Sequence, residues 1–295
     1  MMRISTEIDS AARRLPGGEE RAVELVAEAG FDAYDFSLFE MARIDWATGR
    51  MTPSDHPLQG ADYLRFVRRV SRAADDCGLK CNQTHAPFPV YCDEIRGYLE
   101  RAIECTAEAG GSICVIHPDN FKSAEENAEM YLELLPFAKS CGVKIATENM
   151  WDWDKQANQA RPNACATPAD FKAHLEAVND PYLVACLDIG HAEMRGIGTS
   201  AAELVYALGD RLQALHIHDN DRWHDSHQLP FTMAVDFAPI VRALREIDYK
   251  GEFTLECGSY LKDFTQGAET EENVLKALQN MAATARRLAD MFDKA

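Results

Sequence analysis

The sequence predicts an α/β protein folded as a single (β/α)8 barrel, and three observations carry that reading. The first is length: 295 residues exceed what one small domain needs, and no composition break or linker divides them. The second is an eightfold alternation of short apolar runs with longer amphipathic, charge-rich stretches, the pattern of strands covered by helices. The third is that runs such as ICVI and YLVAC are apolar on both faces, as strands of a buried parallel sheet must be.

In chain order, strands are expected at 3–8, 33–37, 80–84, 112–117, 143–148, 183–188, 213–218 and 252–256. Helices are expected at 19–29, 62–77, 94–109, 125–141, 168–177, 201–208, 236–247 and 271–291, where apolar residues recur at helical spacing. Gly follows several of them, as in AEAG, DDCG and KSCG, and leads into the next strand. The longest irregular stretches, 38–60, 151–167 and 220–235, each follow a strand and read as loops over one mouth. In such barrels that mouth, at the C-terminal ends of the strands, is where chemistry is assembled.

Composition narrows the function. A hydrophobic fraction of 46% with 26% charged residues and a mean hydropathy of −0.31 excludes a disordered chain, a collagen and a membrane bundle. The net charge of −18 disfavours a generic grip on a phosphate backbone, so small polar substrates are expected and nucleic acid is not. Nine scattered cysteines without a CxxC pair indicate neither a disulfide framework nor a cysteine zinc site. Cys114 and Cys186 read as small core residues, in a reducing compartment. MMRISTEI carries no basic stretch leading into an apolar segment, and no apolar run reaches membrane-spanning length, so a cytoplasmic location is expected.

Six consecutive strands end in a metal-ligand type: His85, His117, Glu148, Asp188, His216 and Glu256, spaced 28 to 40 residues apart. One such residue is as readily a helix cap or a hydrogen-bonded core group, but one β-α unit after another ending this way directs all six side chains to a common axis. Glu148, Asp188, His216 and Glu256 form an oxygen-rich set with one imidazole, suited to Mn²⁺ or Mg²⁺ and workable for Co²⁺ or Zn²⁺. One ion is expected, up to three being accommodated. His191, three residues after Asp188, is a further ligand or a donor to substrate. The loop after His216 adds Arg222, Asp225 and His227; an Asp-x-His triplet carries little information alone. His218 shares the inward parity of His216, and either could be the ligand.

The motifs TEN at Glu148, LDIGH from Asp188 to His191, LHIHDN at His216 with Arg222 six residues on, and TLE at Glu256 resemble the xylose-isomerase-like TIM-barrel superfamily, over nearly the whole chain. That superfamily contains ketose 3-epimerases, sugar-phosphate isomerases and endonuclease IV. The epimerase resemblance implies one metal on Glu148, Asp188, His216 and Glu256, with His191 and Arg222 on substrate hydroxyls; His85 and Trp151 complete the expected substrate site. The endonuclease IV resemblance implies additional ligands at His85, His117, His191, Asp225 and His227.

The expected activity is isomerisation or epimerisation of a sugar, sugar phosphate or related polyol, through an enediolate, with Glu148 and Glu256 exchanging the proton. The alternatives are metal-dependent phosphodiester cleavage and dehydration of a polyol. The mouth loops lack the basic, aromatic-interleaved track that DNA requires. They supply Phe39, Trp46, Trp151, Trp153, Trp223 and Phe231, candidate walls around a small polyol. Arg222, Arg195 and Lys262 are the candidate phosphate partners, and the C-terminal helix allows a homodimer.

Overall fold

The computed structural model describes residues 1–45 and 48–295; Trp46 lies outside the described residues. Eight parallel strands form the sheet: β1 Ile4–Glu7, β2 Ala33–Ser37, β3 Lys80–His85, β4 Ile113–Val115, β5 Lys144–Glu148, β6 Leu183–Asp188, β7 Leu212–His216 and β8 Phe253–Leu255. Neighbours in sequence are neighbours in space, and β8 returns to pair with β1 through Ile4↔Phe253, Ser5↔Thr254 and Thr6↔Leu255. Between β7 and β8 the ring is completed just past the end of β7, where Ile217 bridges Leu255 and donates its N–H to Thr254 O at 2.9 Å.

Eight helices surround the barrel: α1 Gly18–Ala29, α2 Tyr63–Asp76, α3 Arg96–Glu108, α4 Ala124–Ser140, α5 Pro168–Val178, α6 Ala201–Leu208, α7 Phe237–Glu246 and α8 Glu271–Lys294. Each covers one side of the sheet with the apolar stripe that its sequence spacing predicts. Several starts are set by local chemistry, as at Ser123 and Ser200, whose hydroxyls accept from the N–H of Glu126 and Glu203 while those glutamates reach back. Gly30 ends α1 at φ 99°, a conformation that spares a side chain the left-handed penalty and turns the chain into β2.

The main apolar core lies between sheet and helices. Inside the barrel a small separate cluster, Val115, Ala146, Val184, Cys186 and Ala214, plugs the interior and forms the floor under the mouth. Cys186 is thus packed as expected, and burial first of all pushes its thiol up to about 12, so it stays neutral.

Two of the mouth loops are more regular than the sequence suggests. Arg43–Asp45 pairs antiparallel with Arg50–Thr52, and Trp151–Asp154 with Gln159–Pro162. The second hairpin turns at Asn158, which adopts φ 51°. WDWD alternates as a strand should, but a two-stranded ribbon has only half a buried face and so gives little periodic signal. Short helices Asp9–Ala12, Ile189–Glu193 and Gly258–Thr265 follow β1, β6 and β8. Among the described residues no helix is long and apolar enough to cross a membrane.

Candidate metal centre

All six strand-end residues reach one space at the mouth, together with the loop residues Asp225 and His227. Their donor atoms fall into three principal groups, each with ligand atoms within 4.8 Å of one another: His85, His117 and Glu148; Glu148, Asp188, His216 and Glu256; and His191, His218, Asp225 and His227. Glu148 belongs to the first two. His216 and His218 fall into different groups: His216 joins the strand-end carboxylates, and His218 joins the loop residues.

In the first group His85 and His117 meet at 2.8 Å through their Nε2 atoms, and His117 Nε2 lies 3.1 Å from Glu148 Oε2. Burial, then the neighbouring His117 and His216, hold His85 well below the ordinary histidine range and keep it neutral. Phe39 and Phe88 wall this side, 4.8 Å and 6.0 Å from His85 between ring centres.

In the second group Glu148 Oε1 sits 2.9 Å from His216 Nδ1, while His216 Nε2 faces Asp35 Oδ2 at 3.3 Å. Burial opposes charge on His216, but Cys186, Glu148 and Glu256 with the Asp35 contact raise it well above its ordinary range. Burial likewise works to raise Glu148, and is overridden by His216 and His117, which hold its carboxyl well below the usual range. Glu256 is raised, chiefly by burial, despite His216 and His227. Asp188 is depressed: burial is outweighed by His191 and His218.

The third group shows how histidines are aimed. His191 Nδ1 donates to the Asn149 carbonyl at 2.9 Å and His227 Nδ1 to the Glu256 carbonyl at 3.0 Å. Each thereby presents Nε2 to Asp225 Oδ2, both at 3.2 Å. A backbone carbonyl on one nitrogen, with the other turned to a carboxylate, is the arrangement that orients metal-binding imidazoles. His218 Nε2 lies 3.1 Å from Asp188 Oδ1 and 3.4 Å from Asp225 Oδ1, its ring stacked 4.1 Å from that of His227. It fits because residue 190 is glycine: a Cβ there would meet the His218 ring at 1.9 Å. Burial opposes charge on His227, yet Asp225 and Glu256 raise it to about 10. Burial of Asp225 is overcome by His191 and His227, which hold it well below its ordinary value.

The donors fit divalent ions. Glu148 Oε2, Asp188 Oδ2, His218 Nε2 and Asp225 Oδ1 are buried and make no hydrogen bond, although all four belong to residues converging on the same mouth. Unsatisfied buried polar atoms are costly, and four together at one mouth are what a bound cation would complete.

Several residues around the centre escape sequence reading. Asp35 and Gln83 hide in buried strands, where Gln83 Nε2 donates to Asp35 Oδ2 at 2.9 Å and steadies the partner of His216. A register irregularity at Tyr34/Asp35, and another at Ala185/Cys186 before Asp188, re-aim these strand ends. Asn149 of the TEN motif clamps β6 by donating to Asp188 O and accepting from Asp188 N, at 2.9 and 2.8 Å. A carboxylate between Tyr34 and Phe36 was the available signal for Asp35.

The remaining expected site residues lie at the rim. Trp151 stands edge-on to His191, 6.4 Å between ring centres. Arg222 donates to Glu193 at 2.7 Å and is half exposed, and Arg195 lies over Trp223 at 4.7 Å. Trp153 stacks on His224. Lys262 is exposed on the Gly258–Thr265 helix. Phe231 packs into the helical shell, against Phe237 and beneath Arg287, rather than walling the mouth.

Comparison with known proteins agrees with this architecture. The chain is 27% identical over 249 residues to the L-ribulose 3-epimerase of Methylomonas sp., covering 81% of this chain and 78% of that protein. It superposes on the structure of a D-tagatose 3-epimerase-like protein with a TM-score of 0.68 at 20% identity, covering 98% and 99% of the two chains. On the 3-keto-D-glucoside 4-epimerase of E. coli the TM-score is 0.66 at 17% identity, with 97% and 100% covered. Residues 23–291 match the family model, so the chain belongs to the xylose isomerase-like TIM barrels.

Proposed function

We propose that this protein is a divalent-metal-dependent isomerase or epimerase of a sugar, sugar phosphate or related polyol, working by proton transfer through an enediolate. The observation that carries the reading is the Glu148, Asp188, His216 and Glu256 group, two of whose carboxylates enter the space from strands three apart around the barrel. The epimerase relatives named above support the same class of reaction. Mn²⁺, Mg²⁺, Co²⁺ or Zn²⁺ would be held by these four residues, and an ion there supplies Lewis-acid stabilisation of charge on adjacent substrate oxygens. Glu148 and Glu256 exchange the proton: one removes it from carbon, the other returns it. His191 and Arg222 take substrate hydroxyls, and Phe39, Phe88 and Trp151 limit water at the reacting carbon.

A second reading, phosphodiester cleavage, is favoured by one specific observation: three donor groups, two of them sharing Glu148. Elemental mass spectrometry of protein purified without chelator, with solvent-deuterium exchange into a ketose panel, separates the two. About one ion per chain and deuterium at the carbon beside the carbonyl are expected. Close to three zinc ions, no exchange, and cleavage of an abasic-site duplex would replace the isomerase reading.

A further inference from the structure

Strand β1 also delivers a carboxylate to the mouth, one that the mechanism above does not use. Glu7 is buried, and its Oε2 accepts the Ser10 backbone N–H at 2.9 Å. Its other oxygen, Oε1, is shielded from solvent and makes no hydrogen bond. A fold tolerates such an oxygen chiefly where something outside the chain completes it.

Glu7 lines a cavity of about 220 Å³ together with Asp9, Ser10, Phe39, His227, Glu256 and Ser259. Two of these, His227 and Glu256, belong to the metal-donor groups, so the cavity extends the candidate centre toward β1. Gly258 keeps it clear: a Cβ there would come within 2.5 Å of Ser10 Oγ and 3.8 Å of Glu7 Oε1. The rest of the lining is two carboxylates, Glu7 and Asp9, with two hydroxyls and an aromatic ring. A carboxylate oxygen accepts O–H hydrogens, serine hydroxyls both donate and accept, and a ring packs on C–H groups. That combination suits a short hydroxylated carbon chain and neither an apolar group nor an anion, which the carboxylates would repel.

We propose that this cavity is the subsite for the non-reacting, hydroxylated end of a polyol substrate, with Glu7 as its anchoring acceptor. The inference rests on the isomerase reading for the reaction, but its binding step stands alone.

The test uses metal-loaded protein and isothermal titration calorimetry with xylitol, D-sorbitol and D-mannitol. Wild type is compared with Glu7→Gln, which keeps an acceptor, Glu7→Leu, which does not, and Gly258→Ala, which fills the cavity from the opposite wall. At least one alditol is expected to bind wild type, about tenfold or more weakly to Glu7→Leu and within about threefold to Glu7→Gln. Gly258→Ala should lose binding, and metal content should be equal in all four. For any ketose that exchanges deuterium, the Glu7→Leu loss should fall on KM rather than kcat.

The proposal is overturned if no alditol binds wild type, if Glu7→Leu or Gly258→Ala binds as wild type does, or if Glu7→Leu loses its metal. Alditol binding that depends on Glu7, without exchange into any ketose, would keep this subsite and remove the isomerase reading.

Discussion

The two donor groups on either side of Asp188 are built by different means. Glu148, Asp188, His216 and Glu256 sit at or beside strand ends, where barrel periodicity dictates position. Three members of the other group, His218, Asp225 and His227, follow β7, and two of them ride on a loop that no periodicity controls. That loop is held by Asp219, fully buried, whose carboxylate accepts backbone N–H groups from Asn220, Thr232, Met233 and Val235 at 2.8 to 3.1 Å. Asn220 adds a tie to the Gly190 carbonyl at 2.8 Å. The barrel therefore sets one group through the sheet, while the other relies on the Asp219 carboxylate together with a short backbone bridge between Asp219 and Gln228.

The largest expected effect falls on the strand-end group. Glu148→Gln should lower deuterium exchange by about 10³-fold and bring the metal content below the one ion expected per chain. Asp225→Ala should leave that ion in place and cost about tenfold or less, read by metal analysis beside the exchange rate. Equal losses in the two variants would mean that both groups act as one unit.

A smaller effect is expected at the anchor. Asp219→Ala leaves four backbone donors without their charged partner and should destabilise the fold by about 3 kcal/mol in urea unfolding. Metal at Glu148, Asp188, His216 and Glu256 should survive, since none of these residues hangs from the loop.

The smallest effect is in pH. His227 is raised from 6.5 to about 10 in the metal-free protein, so its proton contributes stability that is complete below 6.5 and is lost as pH rises through about 10. An ion must displace that proton. Affinity at the loop group should therefore climb with pH across this window, by at most about tenfold per unit. Calorimetric titration with Zn²⁺ in buffers of different ionisation enthalpy measures the proton released; a flat profile would show that His227 is not a ligand.

Legibility in the sequence follows the same division. His85, His117, Glu148, Asp188, His216 and Glu256 were readable because each closes one β-α unit, and a repeated unit converts sequence spacing into a common axis. Asp225 and His227 were visible only as a triplet, since nothing local says that Asp219 folds the loop inward. Glu7 and Asp35 went unread for another reason: β1 and β2 are short and buried throughout, so a carboxylate within them, after Ser5 and Thr6 or between Tyr34 and Phe36, carries no periodic signal until its surroundings are known.

By itself the sequence determined the barrel, the order and period of its units, and the six ionisable residues that close successive units at its mouth, because strand and helix periodicity are local properties of the chain. Only the tertiary structure decided which atoms meet. It divided His216 from His218 between two groups, turned His191 and His227 through distant backbone carbonyls, and left Glu7 facing a cavity, because each outcome depends on contacts between strands and loops far apart in the chain.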